Sequence, residues 1–176
     1  RLFENVSFIT FNYDRCIEQY LVHALAHYYA ISEVESKDIV SRLVIHHPYG
    51  KVGDLPIGPA GKFVDFGEIE RVDLLSVAAE IKTFTERESE TAELAEIRKL
   101  IIDAETLVFL GFAFHELNMQ LLDPQTQTNV KRVFATAKGI SHSDCSVVTD
   151  DIQEMLHPYS APRVQIEPLL TCYQLF

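Results

Sequence analysis

An apolar run from Val6 to Phe11 stops at an amide and a carboxylate, Asn12 and Asp14, and a helical pattern begins directly behind them. A second run, Leu43-Val44-Ile45, stops at two imidazoles, His46 and His47, followed by Pro48-Tyr49-Gly50. An amide can orient a water or a hydroxyl without adding charge, and a neutral imidazole can accept a hydroxyl proton near pH 7. Two further runs end in glycine: Leu107-Val108-Phe109-Leu110 before Gly111-Phe112, and Val133-Phe134-Ala135-Thr136-Ala137 before Lys138-Gly139. Glycine at such a point lets the backbone come close to a ligand. Structural duties compete for the same residues. Asn12 suits a turn, Asp14 suits a helix cap, Gly111 suits a tight turn, and either imidazole can simply be packed.

Runs that are apolar almost throughout read as strands buried on both faces, and therefore as a parallel sheet. Ligands of open α/β sheets collect outside the carboxyl ends of such strands, where Asn12, Asp14 and the imidazoles fall. Side chains alternate across a strand, so one of His46 and His47 faces the cleft. His47, nearer Gly50 and the strand end, is the choice. Asp14 is expected to cap a helix running to about Ala30, with Ile17, Leu21, Leu25 and Tyr28 as its apolar positions. A short helix or turn is predicted over Ser36 to Ser41. Residues 48–61, with three prolines and four glycines, read as a loop, and 63–66 as a short strand or more loop.

Helices are predicted over 71–82 and 89–103, the second burying Leu94, Ile97, Leu100 and Ile101. The charged stretch 86–90 reads as solvated. Then come a strand at 106–110, a helix near 115–122 stopped by Asp123-Pro124, and a strand from Val130 to Ala135. A helix from Asp150 to Leu156, ended by His157-Pro158, and a terminal helix from Leu169 complete the reading. His115, Glu116 and Asn118 are read as caps or surface residues. Alternating strands and helices predict an α/β fold, a Rossmann-like parallel sheet flanked by helices, in one domain over 1–176.

With 176 residues, 47% hydrophobic and 23% charged, the chain has the composition of an ordinary globular domain. Its net charge of −11 argues against a nucleic-acid partner, which requires a basic face. No apolar stretch approaches the roughly 18 residues that suggest a membrane span, and no signal-peptide pattern is present. Cys16, Cys145 and Cys172 are scattered, which fits a reducing cytoplasm and supplies no zinc site. His23 and His27 share a helix face without carboxylates or thiols beside them, so no metal is expected.

Taken in order, Thr10-Phe11-Asn12-Tyr13-Asp14, the His46-His47 pair before Gly50, Gly111-Phe112 and the strand at 133–139 resemble the SIR2-like family, bacterial relatives of the sirtuins, across about residues 6 to 140. That family shows T-x-N-[YI]-D after a strand, a histidine before a glycine, and an apolar strand ending in G-[YF]. The resemblance implies NAD as substrate or ligand, Asn12 as catalytic amide, and one of His46 and His47 as the base, with Asp14 beside them. It implies cofactor contacts from Thr10, Gly50, Gly111 and Phe112, and from Thr136 and Gly139 toward the adenosine end. The chemistry implied is release of nicotinamide from ribose, in which a cationic pyridinium departs neutral and little acid is needed.

This chain departs from the sirtuin pattern in three ways. Pro48 and Tyr49 separate histidine from glycine. Phe112, Ala113 and Phe114 follow Gly111 where sirtuins carry hydroxyl residues. Four cysteines in paired spacing are absent, which argues against a zinc-ribbon protein deacylase. The family's glycine-rich phosphate loop would lie upstream, yet the first glycine here is Gly50. The expectation is a fragment lacking that loop and the first strand, hydrolysing NAD poorly alone. Unpaired sheet edges would be covered by a homo-oligomer, a swapped strand or further domains of the parent. The expected activity of the intact parent is hydrolysis of NAD to nicotinamide and ADP-ribose, in anti-phage defence. The alternative is a catalytically silent module that senses NAD or an ADP-ribose derivative, or serves as a scaffold.

Overall fold

The computed structural model describes residues 2–58, 63–68, 73–82, 92–156 and 161–175. The chain divides into two compact units, Arg1–Glu90 and Thr91–Phe176. Every strand pairing described is parallel, and helices alternate with the strands, so the fold is α/β of Rossmann-like arrangement.

In the first unit, β1 (Ser7–Ile9) pairs with β2 (Val44–His46), Ile9 opposite His46. Between them run α1 (Cys16–Tyr29) and α2 (Glu33–Val40). A parallel pair needs such a crossover, because no tight turn can join two ends that lie on opposite edges. Val22, Leu25 and Val40 are buried together, with Leu21, Ile39 and Ile57 packed against them. A capping box starts α2: Ser32 accepts the Glu35 N–H, and the Glu35 carboxylate accepts the Ser32 N–H. A short helix α3 (Leu74–Ala78) follows the loop.

Four expectations for this unit change or are decided. The β1 strand is shorter than Val6–Phe11, and it is not buried on both faces: Ser7 is exposed, Phe8 and Ile9 are half-buried. Tyr28, expected in the α1 stripe, is exposed and edges onto the ring of Tyr29; the stripe turns instead through Val22 and Leu25. Asp14 stands one residue outside the N-cap, which is Arg15. Phe63 forms a lone bridge with Asp54 and no strand. Residues 71–72 of the helix expected at 71–82 lie outside the described residues, as does the charged stretch 86–90.

The second unit holds a sheet in the order β3-β4-β5: Thr106–Phe109, Arg132–Thr136 and Arg163–Glu167. The helices α4 (Ala92–Asp103), α5 (Glu116–Leu122) and α6 (His142–Met155) accompany it. Val133 and Ala135 on the central strand have no exposure at all, as a strand flanked by two others and covered by helices should. Ile97 and Ile101 of α4 are buried as expected, whereas Leu94 and Leu100 at the stripe's margins are half-buried.

The structure departs from expectation at three places here. Strand β5 was not foreseen. The terminal helix expected from Leu169 is a single 3-10 turn, Cys172–Gln174, that begins behind Pro168. Helix α6 starts eight residues before the expected Asp150, capped by Ser141, and buries Cys145, Val148, Ile152 and Met155. His157 and Pro158 lie outside the described residues. Among the described residues, no helix is long and apolar enough to cross a membrane.

Candidate functional site

Parallel pairing brings the carboxyl ends of β1 and β2 side by side, and with them Thr10, Asn12, Asp14, His46 and His47. The Thr10 N–H donates to the His46 carbonyl at 2.9 Å, one step past the ladder. Asn12 is exposed; its N–H reaches the Thr10 hydroxyl at 3.3 Å, and its side-chain amide makes no hydrogen bond to the described residues. That amide is available to a ligand.

His47 is the reverse case. Its side chain is buried, 5% exposed, with both ring nitrogens engaged. Nδ1 lies 3.0 Å from the Asn12 main-chain carbonyl and Nε2 lies 3.1 Å from Glu18 Oε1. Glu18 projects from the first turn of α1, so the ring bridges helix and strand-end loop. Burial pushes the Glu18 carboxyl up, but the hydrogen bond from His47, its own backbone N–H, and the His47 and Lys51 charges outweigh this and hold it below its ordinary value. Glu18 Oε2 is buried without a hydrogen-bond partner. His46 is half-buried at the end of β2.

Asp14 is exposed, and its Oδ1 accepts the Cys16 N–H at 2.9 Å. That bond, with the nearby His47 and Arg15, holds its carboxyl below the ordinary value. The same carboxylate raises the Cys16 thiol, which argues against a thiolate nucleophile there. Arg15 is 6% exposed and donates from Nη1 to the Val64 carbonyl at 2.6 Å, tying the start of α1 to the segment at 63–68. Gly50 closes the turn after His47, its N–H donating to the His47 carbonyl at 2.8 Å. With φ at +79° and a Cβ that would collide with the Glu80 carbonyl, this position admits glycine only.

In the second unit, Gly111 and Thr136 meet at the carboxyl ends of β3 and β4. The Gly111 N–H donates to Thr136 Oγ1 at 3.0 Å, so the donor expected to face a ligand serves the sheet end itself. Gly111 has φ +59°, and the nearest atom to an added Cβ is Cys172 Sγ at an ordinary 3.7 Å; conformation rather than space calls for glycine. Phe112 is half-buried and packs with Phe109 and Phe114 at ring separations of 5.3 and 5.2 Å. Phe114 is buried at φ 51°, an unusual backbone for a bulky residue, and marks local strain just past the strand. Thr136 is buried, Gly139 takes φ 93°, and exposed His115 is the N-cap of α5 without a side-chain bond.

Glu18 and Arg15 were missed by sequence reasoning. Glu18 had a signal: it precedes the apolar positions Leu21 and Leu25 by three and seven residues, which puts a carboxylate on the buried face of the helix. Arg15 had none. Among the described residues, no group of three or more His, Cys, Asp or Glu side chains could hold a metal ion. No protein-family model, no curated protein and no solved structure matches this chain.

Proposed function

We propose that this chain is an NAD-binding domain of SIR2-like type, whose full-length protein hydrolyses NAD to nicotinamide and ADP-ribose in the cytoplasm, in a defence role. The observation that carries the reading is the unengaged Asn12 amide, its main chain held past the end of a parallel strand by the Thr10 hydroxyl and by the His47 ring that follows β2. In this reaction the bond from ribose to the pyridinium nitrogen breaks, and nicotinamide leaves neutral with the electron pair. Water adds to the ribosyl carbon and loses a proton. Asn12 would orient the water or a ribose hydroxyl, with Asp14, Thr10 and Gly50 framing it.

A second reading, a catalytically silent module for NAD or an ADP-ribose derivative, is favoured by one observation. Both His47 nitrogens are engaged and the ring is buried, so it takes a proton from a ligand only if one bond opens.

Asn12→Ala in the full-length protein separates the two. Nicotinamide release should fall by about a hundredfold or more, the scale for losing one positioned polar group, while the melting temperature stays put. Wild-type protein that binds NAD in calorimetry but releases no nicotinamide would install the silent module. Binding of neither NAD nor ADP-ribose would remove both readings.

A further inference from the structure

Glu18 occupies a helix position that packing alone would fill with an apolar side chain. It is largely buried, its Oε2 has no hydrogen-bond partner, and the bond it makes to another residue's side chain runs to a single atom, His47 Nε2. A buried carboxylate half-satisfied in this way is a standing cost, and such groups call for an explanation. The other end of the ring supplies one. A carbonyl oxygen only accepts, so the bond from His47 to the Asn12 carbonyl requires the proton on Nδ1. Nε2 then faces the carboxylate, and the contact is completed by one proton lying between Nε2 and Oε1. The charged groups around this pair are Asp14, Arg15 and Lys51.

We infer that Glu18 is a positioning residue, holding the His47 ring so that Nδ1 pins the Asn12 main chain and thereby fixes the Asn12 amide at the end of β1. This rests on reading Asn12 as the working amide of the site, and it assigns Glu18 no contact with substrate. Its action runs through the imidazole: helix α1 sets the carboxylate, the carboxylate sets the ring, and the ring sets the loop.

The test uses ring and side-chain nitrogen NMR of the 176-residue chain, with His47 assigned by its loss in His47→Gln. In Glu18→Gln the new amide donates to Nε2. The Nε2 resonance should therefore move to the unprotonated position, while Nδ1 stays protonated and the Asn12 side-chain signals stay in place. A residue that merely packs would leave Nε2 unmoved, and that result overturns the inference. In Glu18→Ala the ring loses its anchor, so the Asn12 side-chain signals should shift and broaden. Glu18→Asp, one methylene short, should shift them too. Unchanged Asn12 signals in either folded variant overturn the inference, and if neither folds the Glu18→Gln ring resonance decides. None of these spectra uses NAD. Absent nicotinamide release would remove the hydrolase reading and leave the hold of Glu18 on His47 intact.

Discussion

The first unit places its candidate chemistry on a small frame. Among the described residues, its two strands have three residues each, and its polar groups Arg15, Ser36 and His47 are buried alongside the cluster of Val22, Leu25 and Val40. In the second unit the strands run four or five residues, and Ile97, Val133, Ala135, Ile152 and Leu156 have no exposure. There the polar site atoms close on each other, Gly111 on Thr136. One region spends burial on orienting side chains, the other on excluding water from apolar ones. Orientation through hydrogen bonds yields a smaller net stability than apolar burial, because each bond replaces one with water.

The sharpest way to break this contrast is Ile97→Ala. Emptying a fully buried site should cost about 2–5 kcal/mol, read by melting and by amide exchange. Protection should fall in α4 and β4 and persist in β1 and β2. Equal loss in β1 and β2 would merge the two regions into one cooperative fold. Removing one serine cap from each region gives a smaller, matched lesion. Ser32→Ala and Ser141→Ala should each cost about 1 kcal/mol, the former slightly more because the Ser32 hydroxyl, besides capping Glu35, donates to the Glu35 carboxylate, whereas that of Ser141, besides capping Asp144, meets only the neutral Ser143 hydroxyl. A larger loss at Ser141 would reverse the ranking of the two regions. The smallest effect is in acid. The Glu18 carboxyl is lowered in the folded state, so its contribution is present above the ordinary carboxyl value and lost as pH falls through the folded one. Glu18→Gln should flatten the acid limb of the melting profile at any ionic strength. The lowered Glu105 carboxyl, bound to Lys131 on the surface, should add a limb that salt removes. A Glu18→Gln profile as steep as wild type would contradict the first half.

How much of this was legible follows the length of each pattern. The α4 stripe and the strand at 132–136 carried enough apolar residues to be read directly. Strand β5 alternates, Arg163-Val164-Gln165-Ile166-Glu167, but five residues with two apolar ones are a weak signal, and its place beside β4 comes from pairing across the chain. The start of α6 was hidden because Cys145 and Val148 are small and sit among His, Ser, Asp and Thr; the spacing 145, 148, 152, 155 is nonetheless helical. The strand-end residues of the site were legible because polar groups interrupt apolar runs there. The bond from Glu18 to His47 was not, since it joins residues 29 apart in sequence whose approach depends on the register of β1 on β2.

The five residues from Thr10 to Asp14 are fastened along their whole length, and mostly by main-chain atoms. The Thr10 N–H holds His46, the Asn12 carbonyl takes His47, and the Tyr13 carbonyl accepts the Val52 N–H at 3.0 Å. The Asp14 carboxylate takes Cys16. Bonds of this kind are indifferent to most side chains and intolerant of slack. Exchanging the letter at Phe11 or Tyr13 leaves every one of them in place, whereas inserting or deleting a single residue unfastens at least two. Over evolutionary time this stretch would drift in spelling long before it changed in length, and an alignment of its descendants should run through it without a gap.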